Sequence, residues 1–252
     1  MGDLSGRVAI VTGGGTGIGR ASALALAAAG ANVVVNYQRS QREAEEVVAA
    51  IAAASLPPAI AVQADVTSRA AVTRMVEQAV ERFDRIDVLV NNAGISLRAR
   101  LLEIDDLTWR TVIDVNLTAT FLCCQAVVPV MQRQGGGRII NISSVAGILA
   151  MPGAPHYAAA KAGVLGLTRS IAQDLAPEIL VNAIAPGWVE TAMNAPDGEY
   201  VRRETARQTP LGRWGTPEEI AANVVFLATT NNFMSGQVLV ADGGLGNVYS
   251  AL

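Results

Sequence analysis

Tyr157 and Lys161 stand four positions apart in the run Tyr157-Ala158-Ala159-Ala160-Lys161, and Lys161 is the only lysine in the chain; every other basic residue is arginine. On a helix this spacing puts a phenol and an amine on one face. Lysine is a compact point charge on a flexible stem, whereas arginine is a wide planar fork. The chain therefore places lysine where an ammonium could approach a phenol. The chemistry this suits is acid–base catalysis. An unperturbed tyrosine titrates near 10, so acting near neutrality requires a move of roughly 3 pH units, about 4 kcal/mol. The same pair also suits a solvated helix face, so the surrounding chain has to decide.

Elements able to position the pair appear as an alternation from end to end. Short, largely Val/Ile/Leu runs at 7–11, 32–36, 59–63, 87–91, 138–142, 180–184 and 237–240 read as strands buried on both faces. Ala-rich segments at 18–29, 41–54, 69–83, 106–134, 158–175 and 217–228 read as helices between them. Repeated βαβ units predict an α/β fold: a doubly wound, Rossmann-type, seven-stranded parallel sheet flanked by helices on both faces. No linker, repeat or low-complexity tract interrupts residues 1–252, which are expected to form one domain. In such folds ligands bind outside the carboxyl ends of the strands, where the strand order reverses.

Those strand ends carry the remaining candidates. After the first strand comes Thr12-Gly13-Gly14-Gly15-Thr16-Gly17-Ile18-Gly19 and then a helix. Free backbone N–H groups and the helix dipole would face a phosphate there, and glycine lets the chain approach a pyrophosphate closely. The second strand ends in Asn36-Tyr37-Gln38-Arg39. An acidic residue at this point would bind the ribose hydroxyls and repel a 2′-phosphate. Asn36, with Arg39 and Arg42 close behind, predicts NADP(H) in preference to NAD(H). Asp65-Val66 follows the third strand, where an Asp can cap a helix or meet an adenine amine. Asn91-Asn92-Ala93-Gly94 follows the fourth, Ser143-Ser144 ends the fifth, and Pro186-Gly187-Trp188-Val189-Glu190-Thr191 leaves the sixth. Asn116 falls in the middle of an apolar helix, where asparagine is unfavourable and implies a buried hydrogen bond or a kink.

Together these residues resemble the short-chain dehydrogenase/reductase family over nearly the whole chain, from the 12–19 loop to the terminal Asp242-Gly243-Gly244. The resemblance implies that Tyr157 is the general acid in carbonyl reduction and the base in reverse. It implies that Lys161 lowers the tyrosine pKa and binds the nicotinamide ribose. Ser144 would hold the substrate oxygen, and Asn116 would maintain a proton path to Lys161. The step of thirteen residues to Tyr157 selects Ser144 over Ser143. The cofactor would lie against Gly13, Gly15, Thr16, Gly17, Ile18, Gly19, Asn36, Tyr37, Arg39, Asp65, Val66, Asn92, Ala93, Gly94, Tyr157, Lys161, Pro186, Gly187, Val189 and Thr191. Leu97, Met151, Trp188 and Met193, with Ser144, would form an apolar substrate pocket. His156 is expected in the pocket wall.

Within the family the likeness is to 3-oxoacyl-(acyl carrier protein) reductases and related ketone reductases, including the stretch from Leu211 to Glu219. Two substrate classes stay open: a carrier-protein thioester, and a free ketone, secondary alcohol or sugar. An acidic carrier protein calls for basic residues at the pocket mouth, whereas Ala176-Pro177-Glu178-Ile179 is acidic and Gly135-Gly136-Gly137 is uncharged. A catalytically inert dinucleotide-binding protein on the same fold is the third reading. The family resemblance further implies a homotetramer or dimer, and the long apolar segments at 106–134 and 158–175, rich in small side chains, are of a kind that either pairs with a second subunit or covers the sheet.

Bulk properties exclude other classes. With 51% hydrophobic and 16% charged residues and a net charge of −3, the chain reads as a well-packed fold with no nucleic-acid partner. No membrane span is expected, the richest apolar stretch, 47–62, being broken by Pro57-Pro58. The short lead into the first strand leaves no room for a signal peptide. Adjacent Cys123 and Cys124 read as core thiols of a reducing cytoplasm. One histidine excludes a multi-histidine metal site, and no metal is expected.

Overall fold

The computed structural model describes residues 3–194, 198–229 and 233–247. Its strands are β1 (Val8–Val11), β2 (Asn32–Tyr37), β3 (Ala59–Gln63), β4 (Val88–Asn91), β5 (Gly137–Ile142), β6 (Ile179–Pro186) and β7 (Val238–Ala241). All pair in parallel in one seven-stranded sheet of order β3-β2-β1-β4-β5-β6-β7. The helices are α1 (Gly17–Ala28), α2 (Gln41–Ala53), α3 (Arg69–Phe83), α4 (Asp106–Ile113), α5 (Ala119–Arg133), α6 (Pro155–Asp174), α7 (Gly198–Gln208) and α8 (Pro217–Thr229).

Successive strand residues point to opposite faces, which explains why the strands are apolar throughout. Ala9, Val11, Val33, Val35, Val90 and Ile140 pack against α1, α2 and α8. Ile10, Val34, Leu89, Ile139 and Val181 pack against α3, α5 and the end of α6. Both layers are sealed: Ile10, Leu89, Ile139 and Ile140 are among the largest fully buried side chains. The chain winds outward from β1 to β3 and returns to start the other half at β4. The loops after β1 and β4 thus part and leave a crevice between them.

Four departures from the predicted elements matter for the site. The helix expected at 106–134 is interrupted by a π-helical turn at Asp114–Thr118, where the N–H of Ala119 bonds the carbonyl of Asp114. Asn116 lies in that turn. Helix α6 begins at Pro155 rather than Ala158, which brings Tyr157 into its first turn. Strand β6 continues to Pro186, at the edge of the crevice. Helix α7 was not predicted; it is polar and has no buried residue.

By length and composition the helical stretch Asp106–Arg133 could cross a membrane. It is instead a core helix, with Leu122, Cys123, Val127 and Met131 packed under the sheet. Burial pushes the Cys124 thiol up to about 12 and Cys123 higher still, as expected of inert core thiols.

Candidate active site

The carboxyl ends of β1, β4, β5 and β6 open on a cavity of about 460 Å³. One wall is the glycine turn. Gly13 (φ +60°) and Gly17 (φ +50°) hold left-handed backbone conformations that favour glycine. A Cβ at Gly19 would stand 2.2 Å from the carbonyl oxygen of Gly13, so turn and helix meet backbone to backbone. Thr16 precedes α1 without a side-chain cap, and the first turn of α1 holds no acidic residue. The leading N–H groups of α1 therefore face the crevice without a protein carboxylate, as an anion site requires. Thr16, Gly17 and Ile18 line the cavity.

The turn is tied to β4. Thr12 Oγ1 accepts the N–H groups of Asn92 (2.9 Å) and Ala93 (3.0 Å), and Asn92 Nδ2 donates to the carbonyls of Thr12 (2.9 Å) and Gly13 (3.1 Å). Ala93 and Gly94 complete that wall, and Pro186, Gly187, Val189 and Thr191 close it from β6. Gly15 packs on the start of α2, where an added Cβ would lie 3.0 Å from the Ala44 nitrogen.

The predicted ribose-end residues prove to be of two kinds. Asn36 is 2% exposed; Oδ1 accepts from Gly13 N (3.3 Å), and Nδ2 donates to the carbonyl of Ala64 (3.1 Å). It braces the glycine turn and does not stand free as a ligand. Tyr37 and Val66 are likewise buried. Asp65 and Arg39 remain for a ligand. Partial burial raises the Asp65 carboxyl, but bonds from Thr67 and Gln38 and the charge of Arg39 outweigh it and hold the group below its ordinary value. Arg42 is engaged with Glu43 and Glu46 along α2.

The opposite wall carries the acid–base group. Ser144 follows β5 and caps a 3₁₀ turn at Val145–Gly147: its Oγ accepts the Ala146 N–H at 3.1 Å. The same hydroxyl is in hydrogen-bond contact with the Tyr157 phenol. Lys161 is 4% exposed, donates to the Ile142 carbonyl at 2.9 Å, and holds its Nζ 5.7 Å from the centre of the Tyr157 ring. Asn116 Nδ2 donates to Ile95 and Val112 carbonyls, both at 2.9 Å. A Cβ at Gly94 would lie 2.8 Å from Asn116 Oδ1 and 3.5 Å from Lys161 Nζ, so these two side chains converge on this glycine.

Several expectations change. Burial raises the Tyr157 phenol, with the Ser144 bond opposing it, and burial lowers Lys161 to about 8. His156 is fully buried, lies outside the cavity wall, and has both ring nitrogens without a partner. It points into the protein because it and Tyr157, neighbours on a helix, face different directions. Leu97 is 43% exposed and absent from the cavity, where Ser96 and Arg98 take its place; Met151, Trp188 and Met193 do line it. Ser143 faces inward and donates to the Lys161 carbonyl at 2.8 Å. Pro177, Glu178 and the triple glycine surround a separate depression with Arg7 and Asp87, beside the amino ends of β4, β5 and β6. Their charge has no bearing on this cavity mouth. Among the lining residues that sequence reasoning missed, Thr205 and Gln208 come from α7.

Residues 13–246 match the family described as enoyl-(acyl carrier protein) reductase. The 3-oxoacyl-(acyl-carrier-protein) reductase of Synechocystis is 47% identical over 246 residues, covering 96% of this chain and 98% of that protein. The enzyme of the same name from Thermotoga maritima is 42% identical over 250 residues, at 96% and 98% coverage. A solved gluconate 5-dehydrogenase from Burkholderia cenocepacia, in complex with NADP and tartrate, superposes with TM-score 0.92 at 37% identity over 98% of both chains. The crevice between β1 and β4, the glycine turn and the convergent Asn, Ser, Tyr and Lys thus belong to a member of the short-chain dehydrogenase/reductase family, an oxidoreductase acting on the CH–OH/ketone pair.

Proposed function

We propose that the protein reduces the 3-oxo group of acyl thioesters with NADPH. The observation that carries this reading is the convergence of Ser144, Tyr157 and Lys161 on one wall of a cavity whose other wall is an uncapped helix N-terminus behind a glycine turn. NADPH fits that wall: Gly13, Thr16, Gly17 and Ile18 would hold its pyrophosphate, Asp65 and Arg39 the adenosine end, and Lys161 the nicotinamide ribose. Bound there, the dihydronicotinamide supplies hydride. The rest of the chemistry belongs to the chain. Charge building on the carbonyl oxygen is met by the hydroxyls of Ser144 and Tyr157. Tyr157, protonated through burial, gives up the proton. Lys161 keeps two N–H donors beyond its bond to Ile142, and with Asn116 it stands where the tyrosine can be reprotonated.

The thioester substrate is supported by the 42–47% identical reductases of that name and by the apolar contributions of Met151, Trp188 and Met193. A second reading, a small polar ketone or hydroxy acid, is favoured by Ser96, Asn194, Thr205 and Gln208 in the same cavity and by the gluconate dehydrogenase likeness. NADPH oxidation with acetoacetyl-CoA decides: rapid turnover supports the thioester, and turnover confined to small polar ketones replaces it with the second reading. A higher kcat/KM with NADH would overturn the cofactor assignment. The working unit is a homotetramer or dimer, with Leu107, Trp109 and Phe121 of α4 and α5 exposed for pairing; light scattering at one chain mass would refute this.

A further inference from the structure

The cavity's outer wall contains an arrangement that the reaction above does not use. Residues 188–190 form a short parallel bridge with Gly215: the Gly215 N–H donates to Trp188 (2.9 Å) and the Glu190 N–H to Gly215 (3.0 Å). This sets Trp188 and Trp214 side by side, with ring centroids 5.4 Å apart and planes 16° from parallel. Arg98 lies over Trp188 at 5.6 Å and Arg202 over Trp214 at 5.7 Å. The Trp214 indole N–H donates to Thr205 Oγ1 at 2.8 Å, and Arg202 pairs with Glu190. Arg202 and Thr205 both belong to α7.

Trp188 lines the substrate cavity; Trp214 does not, and instead walls the adjoining groove with Arg202 and Pro217. Helix α7 buries no residue of its own and contributes nothing to the core clusters. Through Arg202 and Thr205 this aromatic joint ties α7 to the body of the protein, and Thr209, just past the helix end, is buried. Stacked aromatic pairs and cation–π contacts are individually weak. A joint of that strength suits an element that opens and closes during turnover rather than one locked into the core.

We propose that Trp214 is a positioning residue for the substrate: through its stack on Trp188 it makes the seating of α7 and the shape of the substrate wall a single event. Which substrates the chain accepts then depends on whether the joint can close over them. This rests on the reading that the cavity is the reductase substrate site.

The test uses full-length protein in a Trp109→Phe background, which leaves only the two stacked indoles to fluoresce. Trp214→Leu should raise KM for acetoacetyl-CoA about tenfold, leaving kcat and NADPH affinity within about twofold. Amide exchange should quicken in residues 198–208 and not in the sheet, and Trp188 emission should shift. Trp214→Phe, which keeps the stack, should restore KM. A folded Trp214→Leu protein with unchanged KM and unchanged α7 exchange overturns the proposal. So does exchange that quickens throughout with kcat and KM both altered, the mark of a merely structural residue. If Trp214→Leu does not fold, Thr205→Val removes the indole's acceptor together with a cavity hydroxyl that donates to the Val201 carbonyl, so Trp214 emission is read beside KM and α7 exchange. This variant should move KM and α7 exchange in the same direction, and no movement overturns the proposal. If the parent protein reduces no thioester, the functional reading has failed on its own, and α7 exchange and indole emission still decide whether the joint exists.

Discussion

Asp87 precedes β4 at the amino end of the sheet, and Lys161 stands beside the carboxyl end of β5; they are 6% and 4% exposed. Asp87 is surrounded by opposite charge. It accepts from Arg85 at 2.7 and 2.6 Å, from Arg7 at 2.8 Å and from the Val8 N–H at 2.9 Å. Burial raises its carboxyl, but these bonds outweigh burial and hold it below the usual range. Among the described residues the acceptor for Lys161 is the neutral Ile142 carbonyl, and burial brings the amine down to about 8. A buried charge that serves the fold is neutralised where it sits. One that serves a reaction is left able to change.

The largest effect that could break this contrast is on turnover. Tyr157→Phe should lower kcat about a thousandfold while NADPH binding, measured by fluorescence titration, persists. An active Phe variant would mean that the proton comes from elsewhere. At the other end of the sheet, Asp87→Asn should leave specific activity unchanged and cost about 2 kcal/mol in denaturant unfolding. That figure sits below the usual loss for a broken buried pair because Arg7 and Arg85 are 53% and 37% exposed. Since the folded carboxyl titrates below the ordinary 3.8, the Asp87 contribution is present above about pH 4 and fades as pH falls through the folded value. Loss of activity in folded Asp87→Asn would show that the two ends are not separate.

Lys161 should behave in the opposite sense. Between its folded value of about 8 and the ordinary 10.5, the unfolded chain holds the extra proton, so stability climbs with pH across that window. Lys161→Met should abolish turnover, lose this climb, and at pH 7 be more stable than the parent by about 1–3 kcal/mol. In the parent, kcat/KM for reduction should fall above about pH 8 as Lys161 loses its charge. A Lys161→Met protein less stable than the parent would mean that the ammonium is well solvated after all.

What the sequence made legible follows the same division. Strands buried on both faces announce themselves as apolar runs, and Ser144, Tyr157 and Lys161 are tied by spacing along α6 and the loop before it. Helix α7 escaped because a helix with no buried residue carries no apolar stripe. The direction a side chain takes was also hidden. Asn36 turns inward to brace the glycine loop, His156 faces away from the cavity its neighbour lines, and Leu97 yields its place to Ser96 and Arg98. Residues 135–137 and 176–179 look adjacent to functional segments along the chain, yet parallel strands carry them to the far end of the sheet.

Ser143 and Ser144 bring the contrast down to neighbouring residues. The Ser143 hydroxyl is 3% exposed as a residue and already donates, to the Lys161 carbonyl. Ser144 Oγ accepts from Ala146 and lies on the cavity wall in hydrogen-bond contact with the Tyr157 phenol. Ser144→Ala should lower kcat/KM about a hundredfold with little change in unfolding midpoint. Ser143→Ala removes one satisfied buried hydrogen bond, while the Lys161 carbonyl keeps its place in the α6 ladder. The substitution should cost about 1 kcal/mol of stability and change activity by less than about threefold, since Lys161 is also held by α6 itself. If the Ser143 variant lost turnover while the Ser144 variant kept it, the roles would be exchanged. The spacing to Tyr157 would then have chosen the wrong serine.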